Sequence, residues 1–314
     1  MKFLFFDIEC SNCFNNVGKM CEFGYVLTDE NLKTITSDDI PMSPGKGSGN
    51  RFNLKGRKHE KDLELAYDYE FYFAQPEFPA FYNRIKKLME DPDTICLAYS
   101  MENDLAHIYN SCKRYKKPPL KFDCYDVQML VSEYLQQKGQ MALKKACLEI
   151  VGTKEVVKLQ EHLSRDDAQM ERMIFDAICL FEKSKPLELL EKAPFAKMNS
   201  IDFIDVLRQK KVAKKAREEG RQFYQTHISK EDELLNPENI GRRYNVTGAL
   251  KKKVEKLKEV VGEIEKRNGL FAPNLSTTDF VIALNDENKT EFIQKLNVSF
   301  EGTVLTIDEL LNKQ

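Results

Sequence analysis

Acidic side chains follow two hydrophobic runs of the sequence, the first of them directly. The run Lys2-Phe3-Leu4-Phe5-Phe6 ends on Asp7-Ile8-Glu9, and a second run at 95–99 comes shortly before Asp104. Residues two apart on a strand point to the same face, so Asp7 and Glu9 can aim at one point. Acids rarely follow a buried run without partners. These carboxylates are therefore candidates for a common site with Asp104.

A histidine and a further acidic position complete the set. His162 precedes Asp167 by five positions, and Asp166 stands beside Asp167. The spacing from the histidine selects Asp167 for the site, which leaves Asp166 facing solvent. Ser164 lies three residues before Asp167, at the spacing of a capping box, which predicts that a helix begins there.

Four carboxylates in one pocket have a chemical requirement. Like charges at close range cannot all stay ionised unaided, so such a pocket needs divalent cations. Hard oxygen ligands suit Mg²⁺ or Mn²⁺, and a neutral histidine, with an ordinary pKa near 6.5, supplies a base for water. Two cations held by four carboxylates are the apparatus of two-metal phosphodiester hydrolysis. The expected ligands are Asp7, Glu9, Asp104 and Asp167, and the expected base is His162.

Three segments resemble the exonuclease motifs of the DEDDh superfamily. They are Phe6-Asp7-Ile8-Glu9, Ser100-Met101-Glu102-Asn103-Asp104 and His162-Leu163-Ser164-Arg165-Asp166-Asp167-Ala168, and they stand in the family's order. The superfamily includes the epsilon-type proofreading subunits of DNA polymerases and many 3′→5′ exonucleases of DNA and RNA. The resemblance implies a ribonuclease H-like fold and metal-dependent release of nucleoside monophosphates from DNA ends.

The same resemblance implies where the substrate binds. The first motif usually continues with Thr-Thr-Gly, whereas this chain has Cys10-Ser11-Asn12, and Ser100 and Asn103 replace the usual residues before the second motif's Asp. The residues expected to contact the terminal nucleotide are Ile8, Cys10, Ser11 and Asn103.

Composition indicates a folded protein of about two domains. The chain has 314 residues, of which 42% are hydrophobic and 31% charged, with a net charge of −2. Nucleic-acid binding would therefore depend on local basic patches. The sequence has neither a signal-peptide core nor an apolar stretch of about 20 residues, which predicts a cytoplasmic protein without membrane contact. The eight cysteines are expected to be reduced and mostly buried.

The pattern along the chain predicts an α/β fold. Expected strands at 2–8, 23–28 and 32–36 precede helices interleaved with a strand at 95–99, which describes a mixed sheet flanked by helices. The stretch 41–60 is predicted to be a loop. The expected organisation is a nuclease domain at 1–183, a charged helical linker at 184–237 and a second domain at 238–314.

The last segment predicts a β-α-β-β-α-β-α alternation and resembles a BRCT domain. The supporting residues are Thr247-Gly248-Ala249-Leu250, the segment 275–282 and Asn288-Lys289-Thr290. The family binds phosphorylated peptides or DNA ends, which implies a phosphate site at Thr247, Gly248 and Lys289. The resemblance also implies a protein partner and favours DNA repair or replication.

Two alternatives remain open from the sequence. One is an exoribonuclease that trims RNA 3′ ends. DNA and RNA differ at the 2′-OH, and the motif residues do not show whether the site recognises that group. The other is a recruitment protein whose C-terminal domain carries the function and whose nuclease is vestigial. The presence of all five motif residues favours an active enzyme.

Overall fold

A computed structural model describes residues 1–11, 18–45, 65–137, 139–296 and 300–312. The chain forms two compact units, Met1–Leu207 and Arg208–Gln314. The expected domain bounds, 1–183, 184–237 and 238–314, stay predictions. Most of the expected 41–60 loop lies outside the described residues.

The first unit contains six strands, within the described residues, and helices on their faces. The strands are β1 (Lys2–Ser11), β2 (Lys19–Asp29), β3 (Thr34–Pro41), β4 (Thr94–Ala98), β5 (Asp123–Asp126) and β6 (Lys197–Asn199). The helices are α1 (Tyr69–Ala74), α2 (Phe78–Met89), α3 (Met101–Arg114), α4 (Val127–Tyr134), α5 (Leu143–Ile150), α6 (Thr153–Val156), α7 (Ser164–Phe181) and α8 (Pro186–Glu191), followed by α9 (Ser200–Thr226), which contains the boundary between the units.

The six strands form one mixed sheet in the order β3-β2-β1-β4-β5-β6. The first three strands pair antiparallel, whereas β1, β4 and β5 run parallel to one another. The predicted α/β class, a mixed sheet flanked by helices, is confirmed. Strands β5 and β6 were not predicted, because strands of four and three residues are too short for a periodic pattern to show.

The two faces of the sheet hold separate apolar clusters, which explains the sequence of β1. Phe3 and Phe5 pack on one face with Phe175 of α7, and Leu4 and Phe6 pack on the other. A strand covered on both faces reads as a continuous hydrophobic run rather than as an alternation. The run at 3–6 therefore marks the centre of the first unit.

The second unit is a smaller α/β structure. Its helices are the end of α9, α10 (Glu231–Leu235), α11 (Val254–Lys266), α12 (Asp286–Gln294) and α13 (Ile307–Asn312), and its strands are β7 (Arg243–Val246), β8 (Leu270–Phe271), β9 (Phe280–Ala283) and β10 (Thr303–Thr306). The strands pair in parallel in the order β10-β9-β7-β8. The expected β-α-β-β-α-β-α alternation is present from β7 to α13.

The core of the second unit begins well before β7. Tyr224, in the last turn of α9, is 3% exposed and packs with Leu257 and Phe271. Its hydroxyl donates to the carbonyl oxygen of Ala272 at 3.2 Å. The end of α9 is therefore part of this unit's core.

Two expectations from composition concern the whole chain. Seven of the eight cysteines are buried, as predicted, while Cys13 lies outside the described residues. Among the helices of the described segments, none is both long and apolar enough to cross a lipid bilayer.

Candidate active site

Strand β1 positions the first two carboxylates. Asp7 and Glu9 are partly exposed, whereas Ile8 between them is buried, so the two acids share one face as predicted. The pairing register of β1 with β2 shifts between Glu9 and Cys10. Such bulges redirect side chains next to functional sites, and here the bulge directly follows Glu9.

Helix α3 positions Asp104 in its first turn, where the side chain is 4% exposed. Ser100, the residue before the helix, has φ of +63°, a left-handed conformation that is uncommon outside glycine. The carboxylate of Asp126 stabilises this turn by accepting from the backbone N–H groups of Ser100 at 3.2 Å and Met101 at 3.1 Å. It also accepts from the N–H of Gln128 at 2.8 Å, as the N-cap of α4.

Helix α7 positions Asp167, and Gly24 of β2 allows the helix to approach the sheet. A Cβ atom at residue 24 would lie 2.0 Å from the backbone nitrogen of Arg165 and 2.1 Å from the carbonyl carbon of Ser164. Only glycine permits this contact. The close packing brings Asp167, 6% exposed, towards the acids of β1.

His162 joins the carboxylates of β1 and α7. Its Nδ1 atom lies 3.2 Å from Oε1 of Glu9, and its backbone N–H donates to Oδ2 of Asp167 at 3.1 Å. The φ of His162 is +65°, so these contacts hold a strained backbone. Ligand atoms of Glu9, His162 and Asp167 all lie within 4.8 Å of one another.

Three carboxylates of the site, Asp7, Asp104 and Asp167, have a raised pKa. Burial raises the pKa of Asp7 well above its ordinary value, and the charges of Asp104 and Glu9 raise it further. Burial also raises the pKa of Asp104, and the charges of Asp126 and Glu9 raise it further. Burial and Glu9 raise the pKa of Asp167 to about 7. The four predicted ligands are thus close enough to repel one another.

His162 differs from an unperturbed histidine. Its hydrogen bond with Glu9 raises the pKa of His162 to about 9. The cationic form is therefore the stable one at neutral pH while Glu9 carries an uncompensated charge. The ordinary value near 6.5 expected from the sequence does not apply to the protein without bound cations.

The residues of the site fit divalent cations. Oδ2 of Asp7 is buried and has no hydrogen-bond partner within the described segments. A buried, unpaired carboxylate oxygen is costly unless a cation compensates it. The available donors are carboxylate oxygens and one imidazole nitrogen, a set that suits Mg²⁺ or Mn²⁺. Four of these side chains would hold the ions: Asp7, Glu9, Asp104 and Asp167.

Strand β2 carries a buried carboxylate that the sequence pattern does not reveal. Glu22 pairs with Glu9 across the β1–β2 ladder and is fully buried. Its Oε1 atom accepts from the backbone N–H of Ser164 at 2.7 Å, and its other oxygen accepts from the hydroxyl of Tyr72. Glu22 therefore stabilises the first turn of α7. Nothing local in the sequence indicates this role, because both partners are distant along the chain.

A second missed carboxylate is Glu171. It lies one helical turn after Asp167 on α7 and is fully buried. Residues four apart share a helix face, so this spacing was the signal that could have added Glu171 to the site.

Two expectations about the start of α7 are wrong. Asp166 was expected to face solvent, yet it is buried, pairs with Arg165 at 2.9 Å and accepts from the N–H of Gln160 at 2.9 Å. Ser164 was expected at the capping position, yet it is the first residue of the helix, which has no side-chain cap at Leu163. The carboxylate of Glu22 stabilises this terminus instead.

The residues expected to contact a terminal nucleotide lie beside the carboxylates. Ile8, Cys10 and Ser11 are buried, at 7%, 4% and 0% exposure. Asn103 is exposed, and its amide donates to Oγ of Ser100 at 3.0 Å. Their contact with substrate stays a prediction.

The expected phosphate site of the second unit has internal partners. Thr247, directly after β7, donates from its hydroxyl to Oδ1 of Asn288 at 2.7 Å. Nζ of Lys289 lies 2.7 Å from a carboxylate oxygen of Glu309. Gly248 leaves open space where a Cβ would lie. The phosphate-binding role of these residues stays a prediction.

Comparisons with known proteins find similar solved structures, and those described below have low sequence identity to this chain. The sequence matches no protein-family model and no curated protein. The chain is similar to Escherichia coli exonuclease I in complex with a dA16 oligonucleotide, at 15% identity and a TM-score of 0.47. It is also similar to the nuclease domain of 3′hExo, a DEDDh family member, bound to rAMP, at 14% identity and a TM-score of 0.44.

These similarities cover part of each chain. The match with exonuclease I spans 61% of this chain and 42% of that enzyme. The match with the 3′hExo nuclease domain spans 59% of this chain and 94% of that domain. A third structure describes 3′-end specific recognition of a histone mRNA stem-loop by a 3′-exonuclease, at 12% identity, a TM-score of 0.45 and coverage of 59% and 83%.

Proposed function

We propose that the protein is a metal-dependent 3′→5′ exonuclease that releases nucleoside monophosphates from nucleic-acid ends. The observation that carries this proposal is the convergence of three distant motifs on one spot. Ligand atoms of Glu9, His162 and Asp167 lie within 4.8 Å of one another, and Asp7 and Asp104 interact electrostatically with Glu9. A site that only stabilised the fold would gain nothing from collecting repelling carboxylates.

The side chains have distinct tasks in this proposal. Two divalent cations, when bound, lower the pKa of a water molecule and stabilise the leaving 3′-oxygen. Asp7, Glu9, Asp104 and Asp167 hold the ions. In neutral His162 with Nδ1 donating to Glu9, the other ring nitrogen, Nε2, is the acceptor for the proton of the attacking water.

His162 must lose its extra proton before it can act as the base. Its pKa is about 9 because Glu9 accepts a hydrogen bond from the ring. The pKa of His162 falls towards its ordinary value when the charge of Glu9 is offset. Cation occupancy and the basicity of His162 are therefore coupled through Glu9.

The proposed substrate is DNA, with RNA as the alternative. Ile8, Cys10, Ser11 and Asn103 lie next to the carboxylates along β1 and at the start of α3 and would contact the terminal nucleotide. Ser11 is buried and donates to the carbonyl oxygen of Lys19 at 3.3 Å. None of these contacts identifies a partner for a 2′-OH, so the preference for the sugar is decided by experiment.

The second unit is proposed to be a BRCT-like recruitment module for DNA ends or phosphoproteins. Its parallel four-stranded sheet and the β-α-β-β-α-β-α alternation support this proposal. A phosphate would bind Thr247, Gly248 and Lys289, and it would have to replace Glu309 as the partner of Lys289. Phosphate affinity should therefore increase in an E309Q variant, measured with a fluorescent phosphopeptide library and a 5′-phosphorylated DNA duplex. Equal binding of phosphorylated and unphosphorylated probes would exclude the phosphate site.

The nuclease is tested by digestion of end-labelled oligonucleotides. The full chain is incubated with matched 3′- and 5′-labelled DNA and RNA strands in Mg²⁺, Mn²⁺ or EDTA, with D7A alongside. The expected result is metal-dependent shortening from the 3′ end that D7A lacks, and the faster strand identifies the substrate. An active D7A protein would refute the site. No cleavage by the wild type would shift the function to the second unit.

A further inference from the structure

Two buried carboxylates accept three successive backbone N–H groups where β4 leads into α3. Oε1 of Glu171 accepts from Tyr99 at 2.8 Å, while Asp126 accepts from Ser100 and Met101 at 3.2 and 3.1 Å. The middle residue, Ser100, has the left-handed φ of +63°. This junction is the base of the helix turn that carries Asp104, so both carboxylates determine where Asp104 lies.

Glu171 has an oxygen that this contact does not use. The side chain is 0% exposed, and its Oε2 atom is buried without a hydrogen-bond partner in the described part of the chain. A residue needed only to accept from Tyr99 could be a glutamine, which would keep the acceptor without a buried charge. A carboxylate with one unpaired oxygen costs far more to bury than an amide.

Glu171 interacts electrostatically with the acidic site. Burial raises the pKa of Glu171, and the charged groups acting on it most strongly are the carboxylates of Asp7 and Asp104. Asp7 has a matching unpaired oxygen, Oδ2, also buried. Glu171 and Asp167 lie on the same face of α7, one turn apart. An unpaired, buried oxygen on each of these two carboxylates is costly unless a cation compensates the charge.

We propose that Glu171 is a fifth carboxylate of the metal site, which positions the Asp104 turn through one oxygen and contributes its negative charge to the cation held by Asp7 and Asp104 through the other. The inference rests on the proposed function, because it assumes that the site binds divalent cations. Glu171 lies outside the three motifs, so the inference adds a fifth negative charge to the metal site.

The rival explanation is that Glu171 stays protonated and serves only to accept from Tyr99. The E171Q variant separates the two, because glutamine has the same shape, can still accept from Tyr99 and cannot become an anion. If Glu171 is neutral in the working protein, this variant is equivalent to the wild type. If it contributes a charge, cation affinity falls.

The test is Mn²⁺ binding to the full chain by isothermal titration calorimetry, without substrate. E171Q is expected to weaken at least one Mn²⁺ site by about 10–100-fold. The matched control is D176N, which also removes one negative charge from α7 but at a half-buried residue paired with Arg172. The control should bind as the wild type does.

Each outcome has a separate meaning. Equal Mn²⁺ affinity in E171Q and wild type overturns the inference and leaves the nuclease proposal intact. A wild-type protein that binds no Mn²⁺ refutes the proposed function itself. If E171Q fails to fold, a wild-type crystal soaked in Mn²⁺ decides by anomalous scattering. A Glu171 oxygen coordinating an ion, or hydrogen-bonded to an ion's water, supports the inference, and contact with neither overturns it.

Discussion

At the scale of single residues, the proposed site is stabilised poorly without its ions. Asp7 has a raised pKa because desolvation and the charges of Asp104 and Glu9 disfavour its ionised form. A raised carboxyl pKa means that the folded protein keeps a proton that the unfolded chain has already lost. Stability therefore falls as pH rises above about 4, the ordinary pKa of the group. The cost of assembling the site is thus greatest at neutral and alkaline pH.

We therefore expect the D7N substitution to stabilise the metal-free protein and to abolish turnover. Asparagine keeps the shape and removes the charge, so the melting temperature in EDTA should rise at pH 8. At lower pH the gain should be smaller, because protonation then removes the charge of Asp7 in the wild type as well. A gain of about 1 kcal/mol corresponds to about 2–4 °C. Differential scanning fluorimetry measures this, and a D7N protein that melts lower than wild type at pH 8 would contradict it.

The ionisation of His162 supplies a second prediction. Without cations, the pKa of His162 should be about 9, whereas desolvation lowers the pKa of half-buried His107 to about 4. With only four histidines in the chain, NMR can resolve both titrations. E9Q should return the pKa of His162 towards 6.5. The contribution of the His162–Glu9 pair to the free energy of unfolding should be fully present below pH 6.5 and should be lost as the pH rises through 9. A midpoint near 6.5 in metal-free wild type would disprove the Glu9 contact.

Some of these residues can be predicted from the sequence pattern, and others cannot. Asp7 and Glu9 were identifiable because a run buried on both sheet faces leads directly to them. Asp166 was placed wrongly because its partners, Arg165 and the N–H of Gln160, depend on how the chain turns before α7. The role of Glu22 could not be predicted either, because its partner Ser164 is more than a hundred positions away along the chain.

At the scale of elements, the approach of α7 to β2 determines where Asp167 lies. G24A would place a Cβ 2.0 Å from the backbone nitrogen of Arg165, and neither strand nor helix can yield that far without moving the site. We expect a loss of about 3 kcal/mol or more in unfolding free energy together with loss of activity. The control is G262A on α11, where the added Cβ meets nothing within 4 Å and should be neutral or slightly stabilising.

Chemical denaturation with two probes checks the glycine prediction. Urea melts give the free energy of unfolding, and digestion of a labelled oligonucleotide gives activity. G24A protein with wild-type stability would mean that α7 is not packed on Gly24.

The β4–α3 junction is the second element that the site depends on. D126A removes the acceptor for the N–H groups of Ser100, Met101 and Gln128 at once. The expected loss is about 2–4 kcal/mol, since a helix cap contributes about 1 kcal/mol and buried N–H groups are left unpaired. The control D68A removes the exposed cap of α1 and should cost about 1 kcal/mol. Equal losses in urea melts would show that Asp126 acts only as an ordinary cap.

At the scale of the whole molecule, the residues that pack in the core of the second unit determine where that unit begins. Composition placed the boundary at 237, where a polar stretch ends in Asn236-Pro237. The core contacts extend further upstream, because Tyr224 packs with Leu257 and Phe271. Composition cannot show this, since a helix such as α9 can be charged along most of its length and still bury its last turns.

The two placements make opposite predictions for isolated fragments. Residues 208–314 should fold cooperatively, whereas 238–314 lacks Tyr224 and its hydrogen bond to Ala272. Loss of a buried aromatic side chain costs about 3–5 kcal/mol, a large share of the stability of a domain this small. Thermal melts followed by circular dichroism should therefore show a sigmoidal transition only for 208–314. A Y224A variant of 208–314 is the matched control, and it should melt as poorly as 238–314. Equal melting of the two fragments would place the core of this unit entirely after residue 237, and the end of α9 would then be a linker.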